Sequence, residues 1–258
     1  MDDKQRIAPT RRPRGRAIGH HHWSDLLFVH WRVRPDVIAP LLPRELTLDT
    51  WEGDAWVGLV PFHMSGVRPW WSPPVPGISA FHETNVRTYV YHKDQGPGVW
   101  FFSLEASSSL AVCVARWRWS LPYFRSTMHL RRHWDNVTYR STRRWPRPAG
   151  AHIDIEATLG PLLGEGEANR PLPPGQAIPG ALEFFLVERY LIYGRSLRRG
   201  LLCGQVHHNA YPLREAELVK CDESLLAAAG VNAGGPPCHA LYSSGVQVEI
   251  FPLRPAPA

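Results

Sequence analysis

Lysine is scarce in this sequence. Lys4, Lys93 and Lys220 are the only three among 258 residues, so arginine carries almost all of the positive charge. Enzymes that form an imine with a carbonyl substrate need a lysine amine as the nucleophile. Chemistry of that kind is therefore restricted to three positions in this chain.

Cysteine is also sparse, and its spacing is uninformative. The four cysteines are far apart and include no C-x-x-C pair. This spacing fits neither a disulfide framework nor a zinc site, and reduced thiols are the simplest account of it. The sequence also lacks a run of 18 apolar residues and the apolar core of a signal peptide. We therefore expect a soluble, cytoplasmic protein that does not associate with membranes.

Several catalytic motifs are absent as well. The sequence contains no G-x-S-x-G, no H-E-x-x-H, no P-loop and no G-x-G-x-x-G after a predicted strand. These absences argue against a serine hydrolase, a zinc protease and a nucleotide-binding enzyme. The run His20 to His22 does not predict a metal site, because adjacent side chains on a regular element point in different directions. We expect neither a metal nor a cofactor.

Tryptophan and proline, in contrast, are abundant, with 11 and 25 residues. Both are more common in sheets, strand edges and turns than in long helices. A hairpin with a turn at 51–54 is predicted over 46–62. Further strand-like runs separated by turns lie at 82–91, 99–105, 110–119, 127–130, 137–143, 152–158 and 242–251. Short helices are predicted at 35–42, 182–189 and 222–229. The pattern is typical of a mainly β protein with a few short helices.

The first 18 residues differ in character from the rest. They contain five arginines without apolar periodicity, which predicts a disordered basic arm over 1–18 followed by one domain over 19–258. A second arginine-rich tract, at 116–147, interleaves tryptophan and could suggest base stacking. The same alternation is typical of a sheet with one polar and one packed face. We therefore do not expect a nucleic-acid partner.

The segment with the most functional information is FHETNVRTYV, at 81–90. Side chains alternate along a strand, so Glu83, Asn85, Arg87 and Tyr89 share one face. In a closed barrel, such a polar face can line an interior cavity instead of facing solvent. A solvent-facing strand, or a buried ion pair that orders the core, would produce the same pattern.

Two other groups are weaker candidates. His207 and His208 are adjacent, so one of them must face outward if the segment is a regular strand. A single interior histidine is more often a hydrogen-bonded core residue, although either one could bind a substrate. Glu188, Arg189 and Tyr190 lie at the end of a predicted helix and could reach a cavity, although a cluster of salt bridges at the helix end explains them more simply.

The order of several segments resembles a known family. HWRV, AWVGLVPF, HETNVRTYV, GVWFFSLEAS, ARWRWSLPYF and VERYLIY follow one another between Trp23 and Leu253. This order is similar to that of the YqjF-like family of uncharacterised bacterial proteins, within the acetoacetate-decarboxylase-like superfamily. The resemblance implies a closed, antiparallel β-barrel or cone with a central pocket.

The resemblance also indicates which catalytic residues of the superfamily this sequence lacks. Decarboxylases of the superfamily carry the pattern G-R-E-x-x-G-[FY]-P-K-K, whose first lysine forms a Schiff base with the keto acid. In the similar stretch here, at 115–124, Arg116 and Pro122 match the pattern. Tyr123 and Phe124 stand where the two lysines would be, and neither can form an imine. The family's pocket is therefore expected without its imine chemistry.

Three functions remain open. In the first, the protein is an enzyme in which Glu83 is the acid/base and Tyr123 donates a hydrogen bond, with Asn85, Arg87 and Arg116 binding the substrate. Its chemistry would be of the lyase or isomerase type on an oxo acid or another anionic metabolite. In the second, the same residues bind a small anionic ligand without catalysis. In the third, they only pair with one another. The sequence also leaves a homo-oligomer open.

Overall fold

A computed structural model describes residues 3–93, 95–119, 121–196 and 198–256. Within these ranges the chain forms thirteen strands and five short helices. The strands are β1 (Gly19–Val33), β2 (Thr47–Leu48), β3 (Ala55–Pro69), β4 (Phe81–His92), β5 (Gly96–Ala106), β6 (Tyr123–His133), β7 (Asn136–Trp145), β8 (His152–Leu162), β9 (Leu191–Ser196), β10 (Gly200–His207), β11 (Leu213–Glu223), β12 (His239–Ile250) and β13 (Arg254–Pro255). The helices are α1 (Asp3–Ile7), α2 (Pro35–Ile38), α3 (Ser109–Trp119), α4 (Leu182–Val187) and α5 (Leu225–Ala228). The prediction of a mainly β protein is confirmed.

All of these strands belong to one sheet. Its order is β13-β10-β9-β5-β6-β7-β8-β11-β12-β1-β3-β4-β2, and β4 also pairs with β5 while β12 also pairs with β10. The pairing therefore returns from β4 to β5. Among the described strands, β5 makes the two parallel pairings, with β6 and with β9, and the other pairings are antiparallel. The sheet is thus less uniformly antiparallel than the sequence suggested.

Two large hydrophobic clusters lie on opposite faces of this sheet. Val60 and Tyr89 belong to the first cluster, which we call the inner cluster, and their near neighbours Leu59 and Val86 belong to the second. The switch from one residue to the next follows from the alternation of side chains along a strand. Both faces are therefore buried over 55–62 of β3 and 83–90 of β4, so a polar side chain on either face of this part of β4 is enclosed by protein.

The segment at 110–119 was predicted as a strand, and this prediction is wrong, because the structure has helix α3 there. The hydroxyl of Ser108 accepts a hydrogen bond from the Ala111 N–H at 3.2 Å, as a helix N-cap does. Val112 and Ala115 are buried three residues apart, which is a helical spacing. The arginine–tryptophan alternation was therefore misleading. In the described part of the chain, no helix is both long and apolar enough to span a bilayer.

The predicted hairpin over 46–62 is correct in its turn and wrong in its pairing. Trp51 and Asp54 exchange two backbone hydrogen bonds, at 2.9 and 3.0 Å, and close the turn. However, β2 pairs with β4 and not with β3. β2 and β3 lie one after the other along the same edge of β4, so the turn carries the chain along that edge.

The three predicted helices are present, and two of them are shorter than expected. α2 continues into a 3-10 turn up to Leu41, which matches the prediction over 35–42. α4 ends at Val187, and α5 begins at Leu225 because β11 continues to Glu223.

The N-terminal segment, for which the sequence predicts a disordered basic arm over 1–18, contacts the sheet over part of its length. Residues 3–12, here called the N-terminal strap, include α1 and lie against the sheet. The Gln205 side chain donates hydrogen bonds to the backbone carbonyls of Pro9 and Arg11, at 2.7 and 3.1 Å. Arg6 and Arg12 each bind a carboxylate with two nitrogens. The partners are distant in sequence, so a search for local periodicity does not find them.

Candidate functional site

A cavity of about 120 Å³ lies on the side of β4 that faces the inner cluster. Glu83, Asn85 and Arg87 line it from alternate positions of β4, as their alternation predicted. Tyr123, the first residue of β6, and Arg189, just after α4, add two more polar groups to the wall. The remaining wall is mostly apolar and aromatic. A few polar groups in an otherwise apolar enclosure are typical of a small-molecule site.

Glu83 and Tyr123 form a hydrogen-bonded pair in this wall. The Tyr123 hydroxyl donates to Oε2 of Glu83 at 2.8 Å. Burial raises the pKa of Glu83 to about 7, although the hydrogen bond from Tyr123 opposes the rise. Both protonation states of Glu83 are therefore populated near neutral pH. A carboxyl group in that condition can give or accept a proton without a large energetic cost.

The raised pKa of Glu83 predicts a specific pH dependence of stability. Because the native state holds the Glu83 proton more tightly than the unfolded chain does, this residue stabilises the fold below the unfolded pKa near 4.5. That contribution is lost as the pH rises through about 7. Glu83→Gln removes the titration. Between pH 4 and pH 8, the wild type should therefore lose about 3 kcal/mol of its free energy of unfolding that the Glu83→Gln variant keeps. Urea denaturation across this range measures the difference, and parallel curves would contradict the assignment.

Arg87 is buried without a carboxylate partner. Its side chain is enclosed, with the residue only 8% exposed, and one guanidinium nitrogen donates to the carbonyl of Leu186 at 3.0 Å. The guanidinium carbon lies 5.5 Å from the ring centre of Phe28 and 5.7 Å from that of Tyr89. Among the described residues, no carboxylate pairs with Arg87, and its Nε has no hydrogen-bond partner. The charge of Arg87 in the cavity wall therefore has no ion-pair partner among the described residues.

Another buried arginine shows the opposite arrangement. Arg143 and Glu105 are 1% and 0% exposed and are joined by two hydrogen bonds, at 2.6 and 3.2 Å. The hydroxyl of Ser126 donates to the same carboxylate at 2.8 Å. This group does not line the cavity. Arg143 thus has the complete pairing that a buried structural charge requires, and Arg87 does not.

Arg189 also lines the cavity, which the sequence interpretation did not favour. Its Nη1 donates to Oδ2 of Asp49 at 2.8 Å and its Nε to the carbonyl of Phe185 at 2.6 Å. Its Nη2 is buried without a partner among the described residues. The neighbouring Glu188 does not line the cavity, and its carboxylate accepts a hydrogen bond from the Tyr190 hydroxyl at 2.6 Å. The helix end therefore holds both a salt bridge and a cavity residue.

Asn85 contributes an amide between the two charged residues of β4. Its Oδ1 is buried, and no described residue donates a hydrogen bond to it. A buried amide oxygen without a donor is costly unless another polar group satisfies it. This oxygen is therefore available to a donor group of a polar molecule in the cavity.

The structure does not bring three of the predicted binding residues to the cavity. Arg116 is on the exposed face of α3, where its guanidinium donates to the carbonyl of Tyr123 at 2.7 Å. His207 is half-buried and 3.6 Å from Glu249. His208 is buried and stacks on Tyr190, with ring centres 4.4 Å apart. One histidine of the pair does face away from the core, as the alternation required, but neither lines the cavity.

The histidine run at 20–22 divides between two environments. His21 lines the cavity, and burial of its ring together with the nearby His20 lowers its pKa to about 4. His22 is within hydrogen-bond distance of the Ser65 hydroxyl, at 3.3 Å. The described residues contain no group of three or more His, Cys, Asp or Glu placed to hold a metal ion.

None of the three lysines lines the cavity. Lys220 is on the sheet surface and donates to Asp154 at 2.7 Å, and Lys4 and Lys93 are exposed. Tyr123 lies in the wall where the resemblance would place a nucleophilic lysine. The cavity therefore presents a carboxyl group and a phenol to a ligand, but no amine.

Comparison with known proteins identifies the family. The model of the family DUF2071, described as an uncharacterized conserved protein, matches residues 20–247. The chain belongs to this family. It is also 33% identical to the uncharacterized protein YqjF of Bacillus subtilis (strain 168) over 244 residues, which is 94% of each chain. The predicted relationship to YqjF is confirmed.

Solved structures show the same fold at low sequence identity. The enduracididine biosynthesis enzyme MppR, complexed with pyruvate, has a TM-score of 0.60 at 11% identity and covers 95% of this chain and 92% of its own. An acetoacetate decarboxylase-like enzyme from Sphingomonas wittichii RW1 has a TM-score of 0.58 at 14% identity, covering 94% and 95%. Acetoacetate decarboxylase from Legionella pneumophila has a TM-score of 0.55 at 13% identity, covering 98% and 96%. The chain has an acetoacetate decarboxylase-like fold.

Proposed function

We propose that this protein is an enzyme that binds a small organic anion inside a closed barrel and moves a proton on it without forming an imine. The observation that carries the proposal is the state of Arg87, which lines the cavity while buried and unpaired with any described carboxylate. An arginine in that condition is stabilised by an anion, and its planar group suits a carboxylate. Arg189 adds a second cationic group to the same wall.

The size of the cavity limits the ligand. Its volume of about 120 Å³ is somewhat below that of an engineered cavity of roughly 150 Å³ that takes up benzene. A ligand of about six non-hydrogen atoms therefore fits, which is the size of a short oxo acid. The neighbour MppR has been solved with pyruvate, a molecule of this size. A short 2-oxo or 3-oxo acid is accordingly the substrate class that we propose.

The proposed chemistry uses the carboxyl group beside the bound anion. Arg87 holds the substrate carboxylate, and the ionised Glu83 removes a proton from the carbon next to the carbonyl group. The electron pair of that C–H bond moves onto the carbonyl oxygen. The Tyr123 hydroxyl, which Glu83 no longer needs as a donor once it is protonated, then donates to this oxygen. Transfer of a proton to this oxygen completes the tautomerisation to the enol, and return of a proton from Glu83 to the carbon restores the oxo acid. If the Glu83 proton exchanges with solvent in between, the carbon-bound hydrogen is exchanged, and no co-reactant is required.

Exchange of carbon-bound hydrogen tests the proposal. The protein is incubated in D₂O with a panel of short oxo acids that includes pyruvate, and deuterium uptake is followed by NMR. We expect uptake above the uncatalysed rate with the wild type and about 100-fold less with Glu83→Gln. Glu217→Gln, a change of an exposed glutamate on β11, should leave the rate unchanged.

Two results would contradict this proposal. One is equal exchange by Glu83→Gln and the wild type. The other is an adduct on Lys4, Lys93 or Lys220 after borohydride treatment, since that would show imine formation. Binding without exchange by any of the oxo acids would favour a non-catalytic binding protein instead.

A further inference from the structure

The N-terminal strap connects to the cavity through a single carboxylate. Arg6 donates from two guanidinium nitrogens to Asp49, at 2.7 Å to Oδ2 and 2.8 Å to Oδ1. Asp49 also accepts from Nη1 of Arg189 at 2.8 Å on Oδ2. The carboxylate is 3% exposed, so solvent does not compete for it. Two arginines therefore share one buried carboxylate, and only Arg189 lines the cavity.

The hydrogen bonds from Arg6 to Asp49 limit how Asp49 can bind Arg189. Arg6 occupies Oδ1 of Asp49 and shares Oδ2, so Asp49 binds Arg189 through one nitrogen only. Nη2 of Arg189 then has no partner among the described residues. Arginine and carboxylate groups usually prefer to bind through two parallel hydrogen bonds. In the absence of Arg6, Asp49 would be free to bind Arg189 in that way.

The net charge beside the cavity also depends on Arg6. With Arg6 present, the group of Arg6, Asp49 and Arg189 has a formal charge of +1, and without Arg6 it would be neutral. The guanidinium carbon of Arg189 lies 4.9 Å from the ring centre of Tyr89, and that of Arg87 lies 5.7 Å from the same centre. Both cavity arginines thus flank one ring, so neutralising one of them changes the potential at a shared ligand position.

We propose that Arg6 is a positioning residue for the cavity, which keeps Asp49 from binding both ends of the Arg189 guanidinium and so leaves Arg189 able to bind an anionic ligand. The inference rests on the proposed binding of a small anion. Arg6 lies in a segment that is outside the cavity and distant in sequence from the residues that line it.

Pyruvate affinity, measured by isothermal titration calorimetry, tests this role. Arg6→Met should weaken binding about 10- to 100-fold, the loss expected for one charge-assisted hydrogen bond. Arg12→Met is the matched control. Arg12 also belongs to the strap and binds one carboxylate, Glu249, with two nitrogens, but Glu249 does not contact a cavity arginine. The pyruvate affinity of Arg12→Met should stay within about twofold of that of the wild type.

A double variant separates this role from a merely structural one. In Arg6→Met/Asp49→Asn, the competing carboxylate is gone and Arg189 is released, so pyruvate affinity should return to at least that of the wild type. If Arg6 served only to fix the strap, the double variant would bind as weakly as Arg6→Met or more weakly, which would overturn the inference. Unchanged affinity of Arg6→Met would overturn it as well. A wild type that does not bind pyruvate contradicts the proposed function itself.

Discussion

Arg143→Met is expected to lower the free energy of unfolding by about 3–5 kcal/mol, because it leaves Glu105 as an unpaired charge in the core. Glu105 is fully buried, and Arg143 supplies two of its hydrogen bonds. The other donor to Glu105 among the described residues, the hydroxyl of Ser126, cannot neutralise a carboxylate. Urea denaturation at pH 7 measures the effect.

The double variant Glu105→Leu/Arg143→Met provides the control for this prediction. Replacing both partners by apolar side chains removes the buried charge and should recover most of the lost stability. If Arg143→Met is as stable as the wild type, Glu105 must reach solvent or another partner, and the description of this pair would be incorrect.

Arg87→Met is expected to weaken ligand binding strongly without lowering the stability of the fold. Pyruvate binding should fall about 100-fold or more, because the main partner of its carboxylate is lost. Stability without ligand should stay equal to that of the wild type or rise, since an unpaired buried charge is replaced by an apolar side chain of similar length. The shift of the unfolding temperature with pyruvate concentration reports both quantities.

Arg131→Met, a change of an exposed arginine on β6, is the matched control and should alter neither quantity. A strongly destabilised Arg87→Met would instead mean that Arg87 serves the fold as Arg143 does. Retention of pyruvate binding by Arg87→Met would remove this residue from the binding site.

The cavity face of β4 could be predicted from the sequence because a strand has a fixed period of two. Once 81–90 is recognised as a strand, the positions of Glu83, Asn85 and Arg87 on one face follow from geometry alone. Tyr123 could be placed in the wall only through the family resemblance, since nothing in its own surroundings indicates an interior position.

Other parts of the site depend on contacts that no local pattern encodes. Asp49 meets Arg6 and Arg189 across 43 and 140 residues of sequence. The helix α3 was mistaken for a strand because its arginines and tryptophans alternate, although the burial of Val112 and Ala115 follows a helical spacing. His207 and His208 were candidates by residue type, but the packing of His208 against Tyr190 places it in the core.

The central claim is that the cavity is an anion site centred on Arg87, and anomalous diffraction from bromide-soaked crystals tests it most directly. Bromide carries the charge without requiring that the natural ligand be known. We predict an anomalous peak inside the cavity, within hydrogen-bond distance of the Arg87 guanidinium, that is absent from crystals of Arg87→Met. Bromide bound only at arginines on the protein surface, with none in the cavity, would contradict the account.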